Sequence, residues 1–286
     1  MERIMHEYFT KRDSFDSDLA CERRKADIEE DGVEYKKSFC TVGSWEKIRI
    51  TNEGGAKSIG RPIGSYDTLT LERMDLLCPE DISDAAEEIA SELCYMLENL
   101  GISPKRLLVV GLGNRELTPD SVGPRCAEQV HATMHIKEFD EGMFSAFECS
   151  EIAVLKPGVM SESGLETSAV IKRMCELIKP DAMIAIDALA SKSGQRLGRT
   201  VQISDTGIFP GSGIGNHRGA ITKETVGTPV IAIGVPTVID ARLLASEEAA
   251  LGGEAMFVSP KEINGIAASA ARIIADGINQ AFGISL

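Results

Sequence analysis

Two aspartates stand where a sheet protein keeps its chemistry. Asp120 follows the apolar run 107–112 in LLVVGLGNRELTPDSVGP, and Asp187 closes the apolar run 182–187 of DAMIAIDAL. In open α/β sheets, ligands bind beyond the carboxyl ends of the strands. The chain between the two is long enough for a strand and two crossovers, so their strands can be neighbours and both carboxylates can face one cleft. Two carboxyl groups in one site do not ionise equally; one keeps its proton as an acid while the other acts as a base. A hydrolase that activates water needs that arrangement. An Asp just before a helix is also a common N-cap, so both roles stand for Asp120 at this point.

The glycine-rich stretches give weaker signals. The GLGN turn has Gly111 and Gly113, but Glu116 stands where a dinucleotide fingerprint wants its third glycine. It reads as a tight strand-to-loop turn. The second stretch, SDTGIFPGSGIGNHRG (204–219), carries no P-loop lysine. A loop this rich in glycine lets a backbone approach a ligand closely, forms a flap, or is a surface connector. Gly207, Gly211, Gly213, Asn216 and Arg218 are its candidate substrate contacts. Ser161, Ser163, Ser191 and Ser193 lie in predicted loops, with Lys192 between the last two, but there is no G-x-S-x-G elbow. His131 and His135 fall on one face of a helix predicted over 121–135. HATMH lacks the Glu of HExxH, so they read as that helix's polar face. Neither a metal nor a cofactor is expected.

The elements that must position these residues follow from periodicity. Residues 1–37 are charged and aperiodic and read as an arm. KIRIT and TLTLERMDL read as strands joined by a glycine-rich connector. Residues 80–100 place Ile89, Leu93, Met96, Leu97 and Leu100 at helical spacing, with Asp81 and Ser83 as candidate caps and Gly101 as the stop. From Lys105 strands alternate with helices: RLLVVGL, a helix from Ser121, EIAVL, a helix over 165–178, DAMIAIDAL, TVQIS, TPVIAIGVPTVID and a last helix over 261–282. Continuous apolar strands between helices predict an α/β protein with a mostly parallel sheet flanked by helices.

Composition narrows the class. The chain has 286 residues, 43% hydrophobic and 26% charged, with a net charge of −14. A chain this acidic is repelled by nucleic-acid backbones, and direct nucleic-acid binding is not expected. Seven cysteines at irregular spacing, none in a CxxC pair, indicate neither a zinc site nor a disulfide framework. No apolar run reaches the roughly 18 residues a membrane span requires. The N-terminus has no apolar core of a signal peptide, so a cytoplasmic protein is expected.

Five stretches, in this order, resemble the germination proteases of spore-forming bacteria: LLVVGLGNRELTPDSVGP, PGVMSESGLET, IAIDALASKS, GRTVQISDTGIFPGSGIGNHR and MFVSPKEI. The resemblance runs from about Arg12 to the C-terminus. It implies an α/β fold like that of the hydrogenase maturation proteases (phosphorylase/hydrolase-like). It implies an endopeptidase of the forespore or spore core that degrades small acid-soluble spore proteins, made as a self-processing zymogen, homotetrameric, with an atypical aspartic mechanism. The family's two proposed catalytic aspartates fall on Asp120 and Asp187. The family's self-cleavage pattern, an acidic residue, an apolar residue and Ala, matches Asp18-Leu19-Ala20. The resemblance thus implies a propeptide of residues 1–18, cleavage between Asp18 and Leu19, and a single protease domain over 19–286. Two rival readings remain open. One is a metal-dependent peptidase of the hydrogenase-maturation type, with Asp120, Asp187 and a histidine as ligands. The other is a non-catalytic nucleotide- or metal-sensing module using the GLGN turn.

Overall fold

The computed structural model describes residues 17–24, 31–211, 219–244 and 256–283. The first strands are β1 (Val33–Cys40), β2 (Gly43–Ile50) and β3 (Gly64–Leu71), antiparallel neighbours in that order. Between β2 and β3 runs α1 (Glu53–Ile59), capped by Asn52, whose side chain accepts the Gly55 N–H at 2.8 Å, and stopped by Gly60 at φ +68°. The arm read from the sequence therefore ends earlier than expected, because β1 begins at Val33. VEYKKSFC is an edge strand, largely exposed, so it carries little apolar signal and is held by its ladder to β2.

α2 (Pro79–Asn99) opens with Cys78 as its cap rather than Asp81 or Ser83. Asp81 sits at the third helical position, and its carboxylate accepts the Cys78 N–H at 3.1 Å. Gly101, at φ +70°, follows the helix end. The chain then alternates through β4 (Arg106–Gly111), α3 (Val122–Ala127), α4 (Met134–Phe139), α5 (Glu141–Ala146), β5 (Glu151–Leu155), α6 (Met160–Ser163), α7 (Thr167–Ile178) and β6 (Ala182–Ala190). β7 (Thr200–Ser204), α8 (Lys223–Val226), β8 (Val230–Asp240), β9 (Phe257–Val258) and α9 (Ile263–Phe282) complete it.

The strands form one mixed sheet in the order β1-β2-β3-β7-β8-β6-β4-β5, with β9 paired to β8. The block β8-β6-β4-β5 is parallel, and β7 joins it antiparallel to β3. Both faces are covered, which is why β4, β6 and β8 read as unbroken apolar runs. On one face Leu107, Val109, Ile184, Ile186, Ile231 and Ile233 pack with Ile89 and Leu93 of α2 and Ala270 and Ile274 of α9. On the other, Leu108, Val110, Met183, Ala185 and Leu189 pack with Ile171 and Cys175 of α7. Leu19, fully buried, belongs to this second layer.

One predicted element breaks. The helix expected over 121–135 stops at Ala127, and His131 and His135 do not share a helix. Tertiary bonds outweigh local periodicity here. The Asn279 side chain of α9 accepts the His131 N–H at 2.9 Å. Buried Thr133 accepts the Ile152 N–H at 2.8 Å and donates to Ser150 O at 2.5 Å, fastening this stretch to the start of β5.

Candidate active site

The GLGN turn bends around Asp120. Gly113 lies at φ +105°, and a Cβ there would stand 2.2 Å from the Asp120 carbonyl oxygen, so only glycine fits. The Asn114 N–H then donates to Asp120 Oδ2 at 2.8 Å. Asp120 ends a short 3-10 turn, Thr118–Asp120, and its carboxylate bonds back to the GLGN turn before it. It is not an N-cap; the cap position of α3 is Ser121, with no side-chain cap bond. Gly123 brings α3 onto the strand ends, where a Cβ would meet Leu112 O at 2.3 Å and Ile186 O at 2.4 Å.

Asp187 does not end its strand. β6 continues to Ala190, which leaves Asp187 buried within the ladder, opposite Gly234 of β8. Its Oδ1 accepts the Ala188 N–H at 2.9 Å. Gly234 is in turn opposite Gln202 of β7. Residues facing each other across a ladder point to the same side of the sheet, so Asp187 and Gln202 share a face with Gly234 between them.

Asp120 and Asp187 line one cavity of about 400 Å³. Its wall also includes Leu112, Gly113, Glu166, Leu189, Gly211 and Thr237. The Thr237 hydroxyl is buried and has no hydrogen-bond partner among the described residues.

Asp18 lines the same cavity. Its N–H donates to Ala190 O at 3.0 Å, and the Ala190 N–H donates to Asp18 Oδ2 at 2.9 Å. Arg61 Nη2 lies 3.4 Å from Asp18 Oδ1 and donates to Ser17 O at 2.9 Å. α1 and its Gly60 stop put Arg61 there. Four residues on, the Glu22 carboxylate accepts from Ser191 Oγ at 2.5 Å, Lys192 N at 2.7 Å and Ser193 N at 3.2 Å. Ser17 Oγ also donates to Glu22. Residues 17–23 thus lie as a strap across the carboxyl end of β6, tied at both ends.

The other sequence candidates fall as follows. Gly207, at φ +80°, lines a smaller cavity beside Arg61 and Gln202, and Gly211 lines the main one. Gly213, Asn216 and Arg218 lie outside the described residues, as does His217. Ser191 and Ser193 serve the Glu22 anchor, and Ser163 of α6 donates its Oγ–H to Val159 O. Asp205, which follows β7 and was not among those candidates, accepts the Ser65 N–H at 2.8 Å and pins the start of β3. No group of three His, Cys, Asp or Glu side chains suited to a metal ion occurs among the described residues. Among those residues, no helix is long and apolar enough to cross a membrane. The sequence reading missed Glu22, Arg61, Glu166 and Gln202. A lone Arg between Gly60 and Pro62 and a Gln inside an apolar strand were the signals available.

Comparison with known proteins adds a second line. The family model described as germination protease matches residues 15–250. A germination protease of Clostridium perfringens is 35% identical over 313 residues, covering 92% of this chain and 93% of its own. One from Caldanaerobacter subterraneus subsp. tengcongensis is 41% identical over 235 residues, covering 81% and 71%. Among solved structures, a NiFe hydrogenase maturation protease, HycI, from Thermococcus kodakarensis aligns with a TM-score of 0.36 at 22% identity, over 64% of this chain and 98% of its own.

Proposed function

The chain belongs to the germination protease family, and from that premise we propose that it is an endopeptidase whose first substrate is itself, cut between Asp18 and Leu19 by the carboxyl pair Asp120 and Asp187. The observation that carries this reading is that Asp18 lines the same cavity as both aspartates. One carboxylate takes a proton from water, whose oxygen adds to the Asp18 carbonyl carbon. The other, protonated, gives its proton to the Leu19 nitrogen as the C–N bond breaks. Residues 1–18 are the propeptide and 19–286 the protease domain. The later substrates are the small acid-soluble spore proteins, in the spore, and the working enzyme is a homotetramer. These last statements rest on the sequence resemblance; cleavage of such a protein by the processed enzyme, and light scattering, check them.

The test is incubation of the purified protein at mildly acidic pH, followed by intact mass. Wild type loses residues 1–18, with and without EDTA, while Asp120→Asn and Asp187→Asn stay whole. Processing by both variants would return the aspartates to a structural role, and inhibition by EDTA would favour the metal-dependent reading.

A further inference from the structure

We infer that Gln202 is a catalytic residue, whose side-chain N–H meets the carbonyl oxygen of the bond being cut and holds the charge that develops there. The inference rests on the proposed cleavage between Asp18 and Leu19. Gln202 Nε2 donates to Asp18 O at 3.2 Å, and its Oε1 accepts the Ala20 N–H at 2.8 Å. The amide spans the Asp18–Leu19 peptide bond and bonds to the backbone on either side of it. Its orientation follows from its partners. A flipped amide would set N–H against the Ala20 N–H and oxygen against the Asp18 oxygen.

Three further features fit this role. Gln202 is 7% exposed, so its dipole acts where water does not compete. It reads backbone groups alone, so it serves any peptide that follows the strap's path. It also faces Asp187 across Gly234. Two strand spacings set their Cα atoms about 10 Å apart, and Asp18 lines both the cavity of Asp187 and the smaller one of Gln202. A side chain at Gly234 would run into Leu189, its nearest atom 2.4 Å from the new Cβ.

In the reaction the water oxygen bonds to the Asp18 carbonyl carbon as its proton passes to the ionised member of the aspartate pair. The carbonyl π electrons move onto the oxygen, where the Gln202 N–H strengthens its bond. They return as the C–N bond breaks and the protonated member gives its proton to the Leu19 nitrogen. Gln202 gives up no proton; it favours the charged oxygen over the neutral one.

The test follows self-cleavage of the full chain by intact mass between pH 4.5 and 8, in wild type, Gln202→Met and Gln202→Glu. Loss of one such donor costs about 100- to 1,000-fold in rate, and Gln202→Met is expected to show it. Gln202→Glu keeps the acceptor for Ala20 but donates only when protonated. Its deficit relative to wild type should be large at pH 8 and shrink as the pH falls. A deficit equal at every pH would mark a structural role and overturn the inference, and this variant decides the matter if Gln202→Met does not fold. Cleavage within threefold of wild type by both Gln202 variants, with Asp120→Asn and Asp187→Asn inactive, would overturn the role of Gln202 and leave the aspartate reading standing. Processing by the aspartate variants, or none by wild type, would remove both.

Discussion

The molecule holds two pairs of carboxyl groups in the two halves of its sheet, and they differ in what surrounds them. In the antiparallel half, Asp67 of β3 and Glu92 of α2 are about 95% buried. Lys47 of β2 lies 3.6 Å from Asp67 and pairs with Glu92. Burial, then the neighbouring Glu92, pushes Asp67 up to about 8, against the pull of Lys47. In the parallel half, Asp120 and Asp187 line a cavity that a segment of the chain itself enters. Asp67 has a displaced proton affinity, yet Asp67 and Glu92 line neither cavity described here. Perturbed titration points to function only where a substrate has access. Without it, the same chemistry serves packing.

The largest effect that could break this contrast is on rate. Asp187→Asn should slow self-cleavage by at least about 100-fold, the lower end for a positioned acid or base, with Tm close to wild type. A fall in Tm without a fall in rate would place Asp187 with the structural pair. Next comes Lys47→Met, which leaves two buried carboxyl groups with their cation gone. Breaking a buried pair costs about 3–5 kcal/mol, to be read by urea unfolding, while the rate per folded molecule stays at the wild-type value. Arg61→Met should act on the strap alone. Its ion pair with Asp18 is only 12% exposed on each side. A charge-assisted bond is worth about 1.5–3 kcal/mol, so a roughly tenfold slower cut is expected; an unchanged rate would show that the Ala190 bonds hold Asp18 unaided.

The smallest effect is on pH dependence. Asp67 has a raised affinity for its proton in the folded state, so folding takes up a proton between its ordinary value and about 8. That contribution to stability is complete below the ordinary value and is lost as the pH rises through about 8. Wild-type Tm should therefore fall between pH 5 and pH 8 by more than that of Asp67→Asn. Equal falls would assign the trend to other groups.

The parallel half was legible because each strand is buried on both faces and announces itself as an apolar run. RLLVVG, EIAVL and DAMIAIDAL are found as read, apart from β6 passing Asp187. The antiparallel half was less so. VEYKKSFC is largely exposed, and the connector read from glycine content contains α1 with its Asn52 cap. At the site, position relative to a strand end was enough to single out Asp120 and Asp187. Gln202 and Arg61 were not, because their partners are backbone and side-chain groups more than 40 residues away in sequence. Such pairing depends on sheet order, which local patterns do not encode. The failure of the helix over 121–135 has the same origin, in bonds from α9 and β5 that no local window contains.

The length of chain between the strap and its partners has a consequence for the order of folding. Asp18 meets Ala190 across 172 positions and Gln202 across 184. Contacts this distant must overcome a large loop-closure entropy and form slowly. Gln202 lies on β7, the strand that joins the two halves of the sheet. Asp18 therefore reaches the cavity of Asp120 and Asp187 only after both halves have met. A nascent or half-folded chain holds Asp18–Leu19 and the carboxyl groups but not their juxtaposition. Under the proposed self-cleavage, the cut therefore reports completed folding. In a refolding experiment the cut product should lag behind recovery of Trp45 fluorescence, and product appearing before that recovery would contradict this order.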